Sequence, residues 1–435
     1  MKTTLKYFLL AVLLVTARLY AQTPYPAAAQ QKPMLITGAT IHVGNGQVID
    51  NGVIAFEAGK LTYVGAASSA PADKSKYDVI NALGKHIYPG FILPNSQVGL
   101  EEISSVRATV DSDEAGDFNP NVRSVISYNA DSEMISTFRL NGILLAEVAP
   151  EGGVIAGTSS VMQMEGWNWE DAAHTKDVAV HLTWPGTLKS KFDFDTFTRS
   201  FEANADYAKN VEEINTFFND AIAYSKLAKK EVNLKMESMQ GLFTGTQVLL
   251  LHASLAKEIV DGVKFAQAHG VKRIAVLADE QALKVAAFLK ENNIPVILPS
   301  VQSVPSRDDD ATDLAYALPS LMVNAGVTIS LSHTGMLGQA RNLPFYAGTA
   351  IAHGLDKEEA LKAVTINTAK ILGIDKVAGT LEVGKDATLF VSAGDAFDYR
   401  GNKLSDAFIG GKHVILNSKQ EELYDRYSKK YGHKK

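Results

Sequence analysis

The chain of 435 residues contains no cysteine. Disulfide bonds, thiolate metal sites and a cysteine nucleophile are therefore excluded, and so is a lipid anchor on a cysteine that follows a signal sequence. Positive charge is also scarce, because 42 lysines and arginines stand against 48 aspartates and glutamates and give a formal net charge of -6. Nucleic acids bind polybasic surfaces, so we expect no nucleic-acid partner.

Three common catalytic motifs are absent from the sequence as well. It has no G-x-S-x-G nucleophile turn, no G-x-x-x-x-G-K-[ST] phosphate loop and no H-E-x-x-H metal helix. What remains is a chain with 46% hydrophobic and 21% charged residues. This composition predicts a globular protein that can bury a core of barrel size.

The N-terminal stretch "MKTTLKYFLLAVLLVTARLYAQ" has the layout of a secretory signal peptide. Lys2 and Lys6 precede an apolar run from Tyr7 to about Thr16, and small residues follow as far as Ala21. The run is too short to span a bilayer, so we expect no membrane anchor. Residues 1–21 are predicted to be the signal peptide and residues 22–33 a linker, and the mature protein is expected to be secreted or periplasmic.

Both ends of the remaining chain carry short strands separated by turns. "MLITGATIHVGNGQVIDNGVIAFEAGKLTYVGA" alternates apolar and polar residues, and "GTLEVGKDATLFVSAG" and "DAFIGGKHVIL" repeat this character near the C terminus. Residues 34–88 and 379–416 are predicted to form one composite β-sandwich. Residues 417–435 are predicted to be a charged, helical tail.

The middle of the chain alternates apolar strands with amphipathic helices. "TQVLLLHAS" precedes the helix "LAKEIVDGVKFAQAHG", and "VKRIAVLAD", "IPVILPSV" and "VTISLSHTG" follow as further buried strands. The fold class is therefore α/β, and residues 89–378 are predicted to form a (β/α)8 TIM barrel. Chemistry in such barrels lies where strands end, and the polar residues predicted at those ends are Asn95, Gln97, His252, Asp279 and His333.

The order of these segments resembles the amidohydrolase superfamily, and most closely its imidazolonepropionase-like branch. The specific part is "ALKAVTINTAKILGIDKVAGTLEVGKDATLFV", which combines a helix, a turn closed by glycine and a return to the β-sandwich. "EGGVIAGTSSVMQMEGW" and "LLLHAS" also resemble segments of that branch. The resemblance covers about Met34 to Leu416 and implies a metal-dependent hydrolase of non-peptide carbon–nitrogen bonds.

The resemblance also implies positions for metal ligands, and most of them hold other residues. The family's "HxH" pair on the first strand falls on Asn95 and Gln97, which we expect to point the same way because they lie two apart on a strand. The fifth-strand histidine is His252, the sixth-strand histidine is replaced near Asp279, and the eighth-strand aspartate falls on Thr334. The fourth-strand ligand is not identified. Zinc or another divalent metal is implied by resemblance only, with His252 as its single ligand.

Several of these residues have a structural alternative. His252 is either a site residue or a core histidine, and His333 either makes a functional polar contact or is a surface residue. Glu101 and Arg107 follow the first strand and either form a new polar group in the barrel mouth or belong to a solvated helix start. With these alternatives open, the candidate catalytic residues are His252, His333 and Asp279, and the candidate binding residues are Asn95, Gln97, Thr334, Glu101 and Arg107.

Two functions are compatible with this pattern. One is an exported hydrolase with a rebuilt site. The other is a catalytically silent relative that binds a small molecule in the barrel mouth or pairs with an active homologue. Because most of the ligand positions hold other residues, the catalytically silent relative is the better description of the chemistry. The hydrolase is the better description of the ancestry. A homo-oligomer or a hetero-oligomer with an active homologue is the expected macromolecular partnership.

Overall fold

A computed structural model describes residues 26–228, 231–299, 301–305 and 310–433. The predicted signal peptide lies outside the described residues. No helix in the described ranges combines the length and apolar character needed to cross a membrane.

The described residues form strands and helices throughout. The strands are β1 (Met34–His42), β2 (Val48–Glu57), β3 (Lys60–Ala66), β4 (Asp78–Asn81), β5 (His86–Pro89), β6 (Phe91–Ser96), β7 (Ile143–Val148), β8 (Ile155–Gln163), β9 (Ala173–Thr183), β10 (Leu188–Asp193), β11 (Thr198–Ala203), β12 (Val248–His252), β13 (Ile274–Leu277), β14 (Val296–Leu298), β15 (Ile329–Leu331), β16 (Leu389–Ser392), β17 (Leu404–Ile409) and β18 (Lys412–His413). The helices are α1 (Ser124–Ser127), α2 (Glu133–Arg139), α3 (Trp169–Ala172), α4 (Tyr207–Ser225), α5 (Leu234–Ser238), α6 (Gln240–Thr244), α7 (Ala256–Ala268), α8 (Ala286–Glu291), α9 (Leu314–Asn324), α10 (Leu343–Ala352), α11 (Lys357–Ala363), α12 (Ile366–Leu372) and α13 (Lys419–Tyr431).

Strands from both ends of the chain share one eight-stranded sheet. Its order is β18-β17-β16-β5-β1-β2-β3, with β4 paired to β1, and the two ends join where β16 pairs antiparallel with β5. Apolar side chains from both ends, including Ile36, Ile54, Leu389 and Phe408, pack into one buried cluster. The composite β domain predicted from the sequence is therefore confirmed, and its proposed limits stay a prediction.

The second eight-stranded sheet is the barrel, with the order β6-β7-β8-β9-β12-β13-β14-β15. Alternate side chains face inwards, and Ile92, Leu145, Leu250 and Ile297 pack there against residues of α12. The first and last strands approach each other where Ser332 Oγ donates to the carbonyl oxygen of Pro94 at 2.6 Å. The predicted α/β barrel is confirmed.

One barrel strand departs from the expected parallel order. β8 runs antiparallel to both of its neighbours, β7 and β9. The reason is the length of the connection, because residues 149–154 between β7 and β8 form a short hairpin link and a parallel crossover requires a dozen residues or more. The hairpin leaves the strand order of the sheet unchanged, and it brings the end of β7 beside the middle of β8.

The C-terminal segment, in which the sequence predicts a helix, contains α13. Ser418 caps this helix by accepting the backbone N–H of Glu421, and the Glu421 side chain accepts the backbone N–H of Ser418 in return. This reciprocal capping box satisfies two backbone donors at the first turn. The helix therefore begins at a position that the sequence specifies locally.

Candidate functional site

Three barrel strands, β7, β9 and β12, bring ionisable side chains to the barrel interior. Leu250, on β12, belongs to the interior apolar cluster, so His252, two residues further along the same strand, faces the same way. The same spacing relates Ala179 to His181 on β9 and Leu145 to Glu147 on β7. Glu147, His181 and His252 therefore meet inside the barrel.

Glu147, His181 and His252 form a hydrogen-bonded chain, called here the Glu–His–His chain. His181 Nε2 lies 3.0 Å from Glu147 Oε1, and His181 Nδ1 lies 3.1 Å from His252 Nε2. Both Glu147 and His181 are buried. A carboxylate only accepts hydrogen bonds, so the Nε2 atom of His181 carries a hydrogen.

Glu147 is saturated with hydrogen-bond donors. Besides His181, the Ser159 hydroxyl donates to its Oε1 at 2.5 Å, and the backbone N–H of Asn95 donates to its Oε2 at 2.9 Å. Burial raises the pKa of Glu147, but the hydrogen bond and charge of His181, with the bonds from Ser159 and Asn95, outweigh burial and lower that pKa. Glu147 is therefore a carboxylate at neutral pH, and its two oxygens are committed to protein groups.

His252 is neutral over the physiological pH range. Burial, and after it the charge of His181, lower the pKa of His252 to about 3 against the opposing effect of Glu147. When His181 is neutral, its Nδ1 accepts from His252 Nε2, and His252 Nδ1 is left as an acceptor. When His181 is protonated, the direction reverses and His252 Nδ1 carries the hydrogen. Among the described residues this Nδ1 atom has no hydrogen-bond partner.

The extended alternation expected for Asn95 and Gln97 does not hold. Asn95 has a φ of 52°, in the left-handed region that asparagine tolerates, and Gln97 lies beyond the end of β6. The Asn95 backbone N–H donates to Glu147, and the register between β6 and β7 shifts between Leu93 and Ser96. Within the described chain, the side-chain amides of both residues make no hydrogen bonds, so both are available to a ligand.

His333 and Thr334 follow β15 at the other edge of the barrel sheet. The His333 ring stacks on Tyr346 with centroids 5.4 Å apart, and its Nε2 atom is buried without a partner among the described residues. Burial lowers the pKa of His333. The backbone N–H of Thr334 donates to the carbonyl oxygen of Pro299 at 2.9 Å. No hydrogen bond or ring contact joins His333 to the Glu–His–His chain in the part of the protein that the structure describes.

Asp279, Glu101 and Arg107 have local structural partners. The Asp279 carboxylate caps a 3₁₀ turn by accepting the backbone N–H of Gln281, and burial followed by the charge of Glu280 raises the pKa of Asp279. Arg107 donates to the carbonyl oxygen of Val110 and lies 3.6 Å from the carboxylate of Asp113 in an exposed ion pair. Glu101 forms backbone bridges to Val98 and Val110. Their proposed roles in the mouth stay predictions.

The donor set does not fit a tightly bound catalytic metal. The described residues contain no group of three or more histidine, cysteine, aspartate or glutamate side chains placed to hold a metal ion. Glu147 uses its oxygens to bind His181, Ser159 and the backbone of Asn95, and His181 uses both ring nitrogens, which leaves the Nδ1 atom of His252; Asn95 and Gln97, predicted to lie near it, carry only neutral amides. One imidazole and two amide oxygens are far weaker than the three or four strong ligands that zinc sites use.

Sequence reasoning missed Glu147 and His181. Both lie in apolar strands, "ILLAEV" and "AVHLT". An unpaired buried charge is costly, so a single ionisable residue inside a buried strand indicates that it has a polar partner there. His181 is on the fourth barrel strand, where the sequence comparison identified no candidate. The segment around it diverges in sequence, and an insertion, β10 and β11, follows directly.

Comparison with known proteins gives matches over most of the chain. The model of the Amidohydrolase family matches residues 170–414. The imidazolonepropionase of Shewanella baltica is 23% identical over 418 residues, which cover 84% of this chain and 93% of that protein. The imidazolonepropionase of Thermoplasma volcanium is 32% identical over 120 residues, which span only 30% of that protein's length.

Solved structures match the fold. An amidohydrolase from Thermotoga maritima superposes with a TM-score of 0.76 at 21% identity, covering 88% of this chain and 100% of that one. An adenosine deaminase from Xanthomonas campestris with bound zinc superposes with a TM-score of 0.52 at 13% identity. At these identities the structures establish the architecture and leave the chemistry to the site residues.

Proposed function

The chain belongs to the amidohydrolase family, and from this premise we propose that it is an exported member that binds a small, neutral, polar molecule in the barrel mouth and has lost metal-dependent hydrolysis. The observation that carries the proposal is the Glu–His–His chain. Its hydrogen bonds occupy the Glu147 carboxylate, both ring nitrogens of His181 and the Nε2 atom of His252, and they leave only the Nδ1 atom of His252 for a metal. Export rests on the signal-peptide pattern of residues 1–21.

The remaining polar groups favour a neutral ligand with an amide-like group. The amides of Asn95 and Gln97 each donate and accept, and His252 Nδ1 does either according to the protonation of His181. A cyclic amide offers a carbonyl oxygen and an N–H side by side and satisfies such a set. The relatives named imidazolonepropionase support a ligand of this shape.

A second candidate is hydrolysis without a metal, which the free Nδ1 of His252 favours. In that reaction His252 would take a proton from water as the water oxygen bonds to the carbonyl carbon. The proton would pass to the nitrogen of the breaking carbon–nitrogen bond, and Glu147 would stabilise the charged histidine pair. A general base works best with a pKa near the operating pH, and the low pKa of His252, about 3, makes it a weak base. Binding is therefore the stronger proposal.

The purified mature protein is expected to contain well under one equivalent of metal and to show no hydrolysis of acyl-amino acids, dipeptides or cyclic amides, even with added Zn²⁺ or Mn²⁺. Elemental analysis and product detection by mass spectrometry provide the measurements. Cyclic amides should raise the melting temperature of the protein, and Asn95→Ala should reduce that shift. His252→Ala is the control for activity, because metal-dependent turnover that disappears in this variant would refute the loss of hydrolysis.

A further inference from the structure

A two-stranded hairpin, β10 and β11, projects from the barrel directly after β9. Every residue from Leu188 to Ala203 whose side chain the structure describes is exposed. The base of the hairpin is firmly held, because the backbone N–H and hydroxyl of Thr187 both donate to Glu258 Oε1, at 2.6 and 2.9 Å. Glu258 Oε2 in turn accepts backbone N–H groups that follow His252, so the hairpin is rooted on the mouth side of the barrel.

The strand register gives the hairpin two different faces. Directly opposed residues of an antiparallel pair lie on the same face. The pairs on one face are Lys189 with Glu202, Lys191 with Ser200 and Asp193 with Thr198. The pairs on the other face are Leu188 with Ala203, Ser190 with Phe201 and Phe192 with Arg199. The first face is charged, and the second is predominantly apolar.

The turn adds two more phenylalanines to the apolar side. The ring of Phe194 lies 5.0 Å from that of Phe192, and the ring of Phe197 lies 6.3 Å from it. Phe194, Phe197 and Phe201 are 78%, 79% and 64% exposed. We call Leu188, Phe192, Phe194, Phe197 and Phe201 together the phenylalanine face.

The exposed area of this face is at the upper limit of what monomers show. With about 200 Å² for each large side chain, the five residues present roughly 600 Å² of apolar surface to solvent. The largest apolar patch of a typical monomer is about 300–600 Å² and is often functional. A two-stranded hairpin is also only marginally stable by itself in water. The apolar area and the marginal stability of an isolated hairpin both indicate that another surface packs against it.

We propose that the phenylalanine face is covered by the same face of a second copy of this chain, in a two-fold dimer. Two such faces would bury roughly 1,200 Å² in total, the lower end of what specific protein interfaces use. Sheets pack face to face through their apolar side chains, and a two-fold axis matches each face with an identical one. The charged face stays in water on the outside of the dimer.

A membrane is a poorer occupant of the same face. Asp193 and Asp195 flank Phe194 in the turn, and both carboxylates would enter the interface of an anionic bilayer with the ring. A different protein is disfavoured because the five residues of the phenylalanine face carry no charge that would select one, whereas a second copy always supplies a matching apolar face. Vesicle flotation tests the membrane as an alternative, and a monomer at every concentration would leave the face to a different protein.

The test is sedimentation velocity on the mature protein over a micromolar concentration range. We expect a reversible dimer whose dissociation constant rises at least about tenfold in the double variant Phe192→Ser with Phe201→Ser. The matched control, Lys191→Ser with Glu202→Ser, changes the opposite face of the same strands, keeps the net charge and should dissociate like the parent. A monomer at every concentration, or a dimer insensitive to the phenylalanine changes, would overturn the proposal.

A single introduced thiol gives an independent measurement because the chain contains no cysteine. Ser190→Cys places a thiol within the phenylalanine face and should form an interchain disulfide under mild oxidation, whereas Lys191→Cys on the charged face should not. Equal cross-linking of both variants would contradict the two-fold arrangement. Flotation with neutral phosphatidylcholine vesicles completes the set, and vesicle binding that is lost in the double phenylalanine variant would assign the face to a membrane instead.

Discussion

Glu147→Ala should lower the free energy of unfolding by about 3–5 kcal/mol, the range found when one partner of a buried pair is removed. The substitution leaves three buried donors without an acceptor: the Nε2–H of His181, the hydroxyl of Ser159 and the backbone N–H of Asn95. Each unsatisfied donor costs about 1–3 kcal/mol. Urea unfolding followed by tryptophan fluorescence measures the change.

Two further variants make this measurement specific. Glu147→Gln keeps the volume and one carbonyl acceptor but presents an NH₂ group as its second polar atom, so it should destabilise less than the alanine variant. Glu57→Ala removes an exposed carboxylate at the end of β2 and should stay within about 0.5 kcal/mol of the parent. A Glu147→Ala loss no larger than that of Glu57→Ala would show that the Glu–His–His chain does not stabilise the barrel.

The same carboxylate makes stability depend on pH. The pKa of Glu147 in the folded protein is lowered, whereas an unfolded glutamate titrates near about 4.3. The unfolded state therefore binds more protons in mild acid, and the stabilisation from Glu147 is complete above about pH 4.3 and is lost as the pH falls through the folded pKa. Because Glu147→Gln cannot titrate, its acid unfolding curve should be flatter than that of the parent.

The sequence predicts the architecture well because the architecture depends on patterns that are local. Short apolar runs such as "VLLLH" bounded by turn residues become barrel strands, and the alternation near both termini becomes the composite sheet. The antiparallel β8 was not predicted, because its apolar run looks the same in either direction. The link of residues 149–154 is too short for a parallel crossover, but its length is known only when the ends of β7 and β8 are known.

The site was harder to predict because it depends on contacts between distant residues. His252 was identified through a motif, whereas Glu147 and His181 are joined to it by hydrogen bonds between strands that are distant in the sequence. The left-handed turn at Asn95 also escaped the strand periodicity, since asparagine is compatible with both conformations. The contacts of Glu147 and His181 and the conformation of Asn95 both depend on how the strands pair, which a single sequence does not show.

The second large effect concerns metal affinity. The double variant Asn95→His with Gln97→His should bind Zn²⁺ at least about 100-fold more tightly than the parent, equivalent to about 2.8 kcal/mol. The two introduced imidazoles add the nitrogen ligands that zinc prefers, beside a third imidazole on His252. Position 95 should accept the change because histidine, like asparagine, is tolerated at positive φ. Competition titration with a fluorescent zinc chelator measures both affinities.

The triple variant that adds His252→Ala tests whether the introduced side chains and His252 share one site. If they do, removing His252 leaves two imidazoles, and most of the gain in zinc affinity should disappear. Equal zinc affinity in the double and triple variants would place the new ligands away from the Glu–His–His chain, and the assignment of Asn95 and Gln97 to the mouth would then be wrong. Zinc bound by the double variant would use the free Nδ1 atom of His252 and would have only three imidazole ligands, so the expected affinity stays below that of a preformed four-ligand site.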